Sequence, residues 1–371
     1  MPLSIEALKE IGTVANNALV DFAVYIGRFQ PLHKGHEKVI RDALKKAKKV
    51  IAFLGSANCP SDTRNPLSYA IRRKMLIAVF RKEFREGRLI ICHVDDHTYH
   101  NGAWHKEVIE KVAATAAAQG VENPTVGLLG FHKDETSDYL DWFPGWTSLV
   151  VTEPFGILNA SDIRMPYLKD GVILTEHLSD EVVRILKRWK RTKAYRRLIV
   201  EINNIEHVAA TYGKGPFWTS DAIIEHRGKV LAIVRGGAFG NGLLAFPGGI
   251  NDGEEPDECM LRELDEEVGM FKLNPWLTRE MFRSWIVYHE LFADPRRDGR
   301  GHYKSHVYHI IIPDEIERPV VRGDDDARKA QFIDRARFKA KKTFADHYHV
   351  YRKFQRIRNG EELPVPLALA A

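Results

Sequence analysis

The chain has 371 residues, 44% of them apolar and 28% charged, with a formal net charge of +5. That length suits two ordinary domains, each able to bury a core, and the composition is that of a soluble globular protein. A charge so small and scattered argues for anionic small molecules over nucleic acid, and no apolar run is long enough to span a bilayer. Cys59, Cys92 and Cys259 have neither disulfide-framework nor zinc spacing, which favours a reducing cytoplasm. The N-terminus has no signal-peptide layout.

In chain order, residues 1–21 read as a helical prefix. From Phe22 to about Glu153, apolar strand-like runs alternate with helical patterns. The runs are FAVYIG, VIAFLGS, LIICHVDD, TVGLLGF and SLVVTEP. Val39, Ile40, Ala43, Leu44 and Ala47 mark one helical stripe, and Met75, Leu76 and Val79 another. Near-continuous apolar strands with helical crossovers predict an α/β fold with a doubly wound parallel sheet. Ligands of such sheets bind at the carboxyl ends of the strands, near the topological switch. The first domain is placed at residues 1–180 and a basic helical linker at 181–200. A second domain follows at 201–371, ending in a loose apolar tail, PVPLALAA. In it, WTSDAIIEH and KVLAIVRG flank a His-Arg-Gly-Lys turn, and SWIVYHELFAD and YKSHVYHIII follow a helical segment. That rhythm predicts a mixed-sheet α/β/α sandwich. There is no internal repeat, and the Lys45–Lys49 run is a solvated helix face.

Directly after the first strand comes GRFQPLHKGH. Gly27 permits a tight turn, and Gly35 lets backbone approach a phosphate where the next helix opens. His33 and His36 bracket that glycine and are placed to hydrogen-bond phosphate oxygens. Strand, Gly-Arg-Phe, Pro, His-x-Gly-His and helix together resemble the HxGH signature of the nucleotidyltransferase superfamily. Asn159 to Arg164, NASDIR, resembles that superfamily's Ser-x-Thr-x-x-Arg motif, with Asn and Ser in the first and third places. The resemblance implies that its amides and Arg164 hold the β- and γ-phosphates of ATP. Three further segments resemble the nicotinamide mononucleotide (NMN) adenylyltransferases of the archaeal type. They are GSANCPSDTRNPLSYAIRRKM with Asn65 and Arg72, DDHTYHNGAW with Asp96, Tyr99, Asn101 and Trp104, and GFHKDETSDYLDWFPGW with Lys133 and Asp134. Substrate contacts are expected from these residues and from Gly27, Arg28, Phe29, Gly35, Asn159 and Ser161.

The second domain carries GGINDGEEPDECMLRELDEEVGM, Gly248 to Met270. Gly248, Glu254, Arg262, Glu263, Leu264, Glu266, Glu267, Gly269 and Met270 fill every fixed position of the Nudix pattern. Pro256 suits a first helical position, and Gly269 suits a left-handed cap. Between them Glu263, Glu266 and Glu267 stand at i, i+3 and i+4 on one face. Like charges so placed oppose helix formation by a few tenths of a kcal/mol per pair. A hard divalent cation that prefers oxygen ligands is the natural offset. Arg262, four residues before Glu266, is placed to orient a carboxylate.

The whole resembles the bifunctional NMN adenylyltransferase/Nudix hydrolase family. DPRRDGRG, with Arg296 and Arg300, resembles its ADP-ribose-binding loop, and GDDDARKAQF its late acidic loop, with Asp325 or Asp326 as a further ligand or base. Leu244 stands before Ala245 where relatives often carry Trp. The resemblance implies NAD formation from ATP and NMN, with His33, His36 and Arg164 in the catalytic machinery. It also implies ADP-ribose cleavage to AMP and ribose 5-phosphate at Glu263, Glu266 and Glu267. Magnesium, with manganese as a substitute, serves both sites; neither nucleic acid nor membrane is a partner, and homo-oligomerisation is left open. One rival is a nucleotide-sensing Nudix half, but such sensors commonly lose box carboxylates and this chain keeps them. Another is a transferase for a different phosphate ester or acid, against which DDHTYHNGAW and WFPGW weigh.

Overall fold

The computed structural model describes residues 19–130, 142–149 and 159–364. The first body is built in chain order from β1 (Val20–Gly27), α1 (Lys34–Lys46), β2 (Ala47–Leu54), α2 (Tyr69–Val79), α3 (Arg81–Arg85) and β3 (Leu89–His93). Then come α4 (Asn101–Ala118), β4 (Val126–Leu129), β5 (Thr147–Leu149), α5 (Ala160–Lys169), α6 (Asp180–Trp189) and α7 (Lys193–Tyr212). The strands form one sheet in the order β3-β2-β1-β4-β5, every pair parallel. Successive side chains of a strand point to opposite faces, and here both faces are covered. On β1 and β2, Ala23, Val50, Ala52 and Leu54 join the core under α1, α2 and α5, while Phe22, Val24, Ile26, Ile51 and Phe53 join the core under α4. That is why the strands read as continuous apolar runs. The order reverses between β1 and β4, so a crevice opens beyond their carboxyl ends.

The stretch expected to be a linker at 181–200 is instead part of this body. Val182, Val183, Leu186 and Trp189 of α6, with Tyr195, Leu198 and Ile202 of α7, are buried in the core of the first sheet. A basic composition hid an amphipathic pattern whose apolar stripe needs a sheet to cover. The Tyr167 and Tyr195 hydroxyls donate to the Leu186 and Tyr167 carbonyls, 2.8 and 2.7 Å away, and fasten α5, α6 and α7 together.

The second body comprises β6 (Phe217–His226), β7 (Lys229–Arg235), β8 (Leu244–Ala245), β9 (Gly248–Ile250), α8 (Pro256–Val268) and α9 (Arg279–Arg283). It ends with β10 (Ile286–Phe292), β11 (Tyr303–Ile311), β12 (Ala327–Asp334) and α10 (His347–Arg358). Its sheet runs β10-β11-β6-β7-β12, with β9 on β6 and β8 on β7. The β11–β6 pair is parallel and the others antiparallel, so the sheet is mixed. Met260, Leu261, Leu264 and Val268 of α8 cover one face, and Val350, Tyr351 and Phe354 of α10 cover the other. Among the described residues, no helix is long and apolar enough to cross a membrane.

The two bodies meet along loops. Arg64 donates to the Arg296 carbonyl, Gly240 N donates to Glu201 Oε1 at 3.4 Å, and the Tyr99 hydroxyl donates to Asp346 at 2.5 Å. A cavity of about 250 Å³ lies between them, lined from one side by Arg28, Asn65 and Asp96 and from the other by Arg296, Arg300 and Asp346.

Candidate functional site

The first candidate site is the turn from β1 into α1. His33 is the N-cap of α1, and its Nδ1 accepts the Gly35 N–H at 3.2 Å. His36 Nδ1 accepts the His33 N–H at 3.4 Å, so the two histidines cap the helix reciprocally in the manner of a capping box. Their rings lie 3.7 Å apart between centroids, and the Phe29 ring packs on His36 at 4.8 Å. Phe29 has φ 50°, a left-handed conformation that a phenylalanine keeps only where its surroundings impose it. Gly27 ends β1, and Arg28 beside it is exposed at the cavity's edge. The positive end of α1 and both imidazoles therefore lie together at one turn, a combination suited to an anion.

Two arginines expected at the substrate do different work. The buried Arg72 donates to the Arg28, Gly55 and Ser56 carbonyls at 2.7, 2.6 and 3.3 Å. It thereby ties the turn after β1 to the end of β2. Arg164 donates to the Thr63 and Gln30 carbonyls at 3.2 and 3.0 Å and to Ser161 Oγ at 2.9 Å. Burial holds both guanidinium groups down to about 10. Each satisfies backbone carbonyls of the loops that shape the crevice, which needs Arg's fixed fork. Asn159 opens α5, its N–H bound to Asp162 at 3.3 Å. The Asp96 carboxylate accepts from Ser56 Oγ at 3.2 Å and Cys59 Sγ at 3.0 Å, and its N–H binds Asn58 at 2.8 Å. Asn65 lines the cavity, and Asn101 is exposed at the start of α4. Trp104 is half-buried against Trp142 and Phe143, 6.2 and 6.1 Å away. Lys133 and Asp134 lie outside the described residues.

The second candidate site is the acidic face of α8. The helix starts at Pro256 and ends at Gly269, which adopts φ 65° and ψ 33° as a left-handed cap. Arg262 donates to Glu254 at 2.7 Å, Glu263 at 2.8 Å, Glu266 at 2.7 Å and the Ile250 carbonyl at 2.9 Å. One guanidinium thus aligns two of the three glutamates and clamps them to β9. Glu267 Oε2 accepts the Gly248 N–H at 2.9 Å. At Gly249 an added Cβ would fall 2.3 Å from Glu263 Oε1, so glycine is required for the carboxylate to approach the strand.

Charge in this site is not balanced by protein alone. Burial, then its acidic neighbours, pushes the Glu263 carboxyl up to about 7 and the Glu267 carboxyl up to about 8. Asp221 on β6 is one of those neighbours; it is buried and hydrogen-bonded to Ser305. A cluster of hard oxygen donors held against its own repulsion fits a hard divalent cation, with Glu263, Glu266 and Glu267 as the ligands present. The late acidic loop returns to the same helix, since Asp324 N donates to the Glu267 carbonyl at 2.9 Å. Asp325 there has φ 47°, and Asp326 faces Gly237. A tighter trio, His93, Asp95 and Glu107, has ligand atoms within 4.8 Å of one another, but Lys111 Nζ already sits 2.6 Å from Glu107.

The expected nucleotide loop forms the far wall. Arg300 is paired with the buried Asp298 at 2.6 Å and lies over the Tyr303 and Phe344 rings at 4.1 and 5.0 Å. Arg296 pairs with Asp294 at 3.2 Å. Arg235, absent from the sequence reading, stacks on Phe344 at 4.3 Å and is close enough to feel Glu267 and Asp326. Asp221 had a signal, an acid inside an apolar strand; Arg235 at the end of β7 had none.

The cytidylyltransferase-like family matches residues 24–117, and the NUDIX domain family matches residues 219–354. The nicotinamide/nicotinic acid mononucleotide adenylyltransferase of Acinetobacter baylyi is 32% identical over 178 residues, which are 48% of this chain and 91% of that protein. This chain belongs to the nicotinamide-nucleotide adenylyltransferase family. A second member, from Thermococcus sibiricus, is 32% identical over 187 residues, 49% of this chain and 92% of its own. The adenylyltransferase half is thus joined to a Nudix half, and the pairing has a solved counterpart. The bifunctional NMN adenylyltransferase/ADP ribose pyrophosphatase of Francisella tularensis, complexed with AMP and manganese, is 26% identical. It covers 91% of this chain and 99% of its own, with a TM-score of 0.81. The crevice at β1 therefore belongs to the adenylyltransferase half and the α8 carboxylates to the Nudix half.

Proposed function

We propose that this chain joins ATP and NMN to give NAD and pyrophosphate, and cleaves ADP-ribose to AMP and ribose 5-phosphate. The observation that carries the reading is the pair of capping histidines at the amino end of α1, on the same chain as three glutamates clamped around Arg262.

In the first reaction the NMN 5′-phosphate attacks the α-phosphorus of ATP in line and pyrophosphate leaves. No protein nucleophile is needed, so the protein's work is positioning and charge neutralisation. His33, His36, the first amides of α1 and the exposed Arg28 receive the triphosphate, which enters as its magnesium complex. Arg164 and Arg72 fix the loops around it by holding their carbonyls. In the second reaction Arg296 and Arg300 orient the nucleotide while the glutamates of α8 gather at its pyrophosphate. Glu263, Glu266 and Glu267 would hold magnesium or manganese, which would supply Lewis acidity there and lower the pKa of the attacking water. Asp325 or Asp326 is the candidate further ligand or base. All three cysteines are free thiols, in keeping with a reducing cytoplasm.

The direct test is the purified full chain with magnesium, given ATP plus NMN in one vessel and ADP-ribose in another. The reading expects NAD and pyrophosphate in equal amounts from the first, and AMP with ribose 5-phosphate from the second. Absence of either product set removes the corresponding half of the proposal.

A further inference from the structure

Tyr99 lies in the segment between Asp96 and Asn101, whose resemblance to the NMN adenylyltransferases implies substrate contacts in the first site. Its side chain does not stay in its own half. The hydroxyl donates to Asp346 Oδ2 at 2.5 Å, and the ring packs edge-on against Phe292 of β10 at 5.0 Å. Arg356 of α10 donates to the Tyr99 carbonyl at 2.9 Å. Asp346 is held in turn by Arg297, whose Nε and Nη2 donate to its two oxygens at 2.9 and 2.8 Å. Both of those side chains are only 5% exposed. Tyr99 itself has φ 65°, a left-handed conformation that persists only where contacts over-determine it. Tyr99 meets Asp346, Phe292 and Arg356, all in the second body.

We propose that the Nudix half positions the NMN-binding segment of the adenylyltransferase half, with Asp346 and Arg297 acting through Tyr99. The three residues form one unit. Arg297 presents its planar fork to both Asp346 oxygens, and Asp346 Oδ2 also accepts the Tyr99 O–H, so the carboxylate cannot turn without releasing one partner. Asp346 is fixed from behind as well, because the His349 and Val350 N–H groups bind its carbonyl at 2.8 and 3.0 Å where α10 begins. Asp96, Thr98, Arg297 and Asp346 also line the same interdomain cavity, so a shift of Tyr99 moves its wall. Tyr99 and Asp346 are positioning residues here: they set where the segment from Asp96 to Asn101 stands and touch no reacting atom.

The inference rests on the NAD-forming reading, which the wild-type chain tests first. If wild type forms no NAD, that reading fails. If it does, steady-state kinetics of full-length Tyr99→Phe, Asp346→Asn and the double variant decide the inference. Coupling between sites is worth roughly 5–150-fold in affinity. Each single variant is expected to raise KM for NMN about tenfold, with KM for ATP and kcat within about twofold of wild type. The double variant is expected to be no worse than the poorer single one, because both changes cut the same chain of contacts. Tyr99→Phe deletes one oxygen and leaves the Arg297–Asp346 pair whole, so it decides alone if Asp346→Asn does not fold. An unchanged KM for NMN in folded Tyr99→Phe overturns the inference. So does an equal rise for ATP and NMN, or multiplicative losses in the double variant.

Discussion

The two sites of this chain solve the handling of a pyrophosphate from opposite ends. The crevice at β1 is assembled from neutral and cationic parts, namely capped histidines, helix amides and arginines holding carbonyls. His33, His36, Arg72 and Arg164 are each held by hydrogen bonds inside the protein. The face of α8 is assembled from carboxylates whose protonation equilibria are displaced upward by burial and by each other. Arg262 offsets part of that repulsion, and the rest calls for a cation. One site is preorganised by hydrogen bonds, the other by a charge imbalance that a ligand must relieve.

The largest expected effect breaks the acidic side. Glu267→Gln removes a proposed metal ligand in the buried part of the cluster, and ADP-ribose hydrolysis is expected to fall by at least about 10³-fold, read as AMP release. On the other side, His36→Ala removes one of the groups proposed to receive the triphosphate. It is expected to lower NAD formation roughly 10²–10³-fold, as for loss of a preorganised donor, measured as NAD per unit time at saturating ATP. A smaller effect comes from Gly249→Ala, whose Cβ would collide with the Glu263 carboxylate at 2.3 Å. Hydrolysis is expected to drop about tenfold or more, with weaker manganese binding in a calorimetric titration and NAD formation unaltered.

The smallest effect sharpens the comparison through pH. Glu267 has a folded-state pKa of about 8 against an ordinary 4.5, so folding favours its protonated form. The resulting penalty is absent below about pH 4.5, grows as pH rises, and is complete above about pH 8. Metal-stripped protein is therefore expected to lose a few kcal/mol of stability across that window, shared with Glu263, and excess magnesium to restore it most at the alkaline end. Denaturant melts with and without chelator read this out. A stability flat in pH after chelation would contradict the charge-imbalance picture.

Much of this was legible in the sequence, for reasons that differ by element. Continuous apolar runs at β1 and β2 announced a sheet covered on both faces, because each strand feeds two cores. Pro256 and Gly269 announced both ends of α8, since each fixes a backbone angle locally. The same locality made His33 and His36 readable as a pair, because the His-x-Gly-His pattern that singled them out spans only four residues. What escaped depended on distant pairings. The arginine-rich stretch around α6 and α7 read as a linker, whereas its apolar stripe needs the first sheet to become visible as core. Arg164 read as a phosphate ligand and Arg72 as a substrate contact; their hydrogen bonds to loop carbonyls are long-range and no short-range pattern points to them. Arg297 and Asp346, separated by 49 positions, meet only through the fold.

The central claim is that two distinct sets of residues on one chain perform two pyrophosphate reactions, and one crossed assay tests it most directly. NAD formation and ADP-ribose hydrolysis are measured side by side in His36→Ala and Glu267→Gln full-length protein. The account expects each variant to lose one activity by two orders of magnitude or more while keeping the other within about threefold of wild type. Loss of both activities in both variants, or retention of NAD formation in His36→Ala, would contradict it.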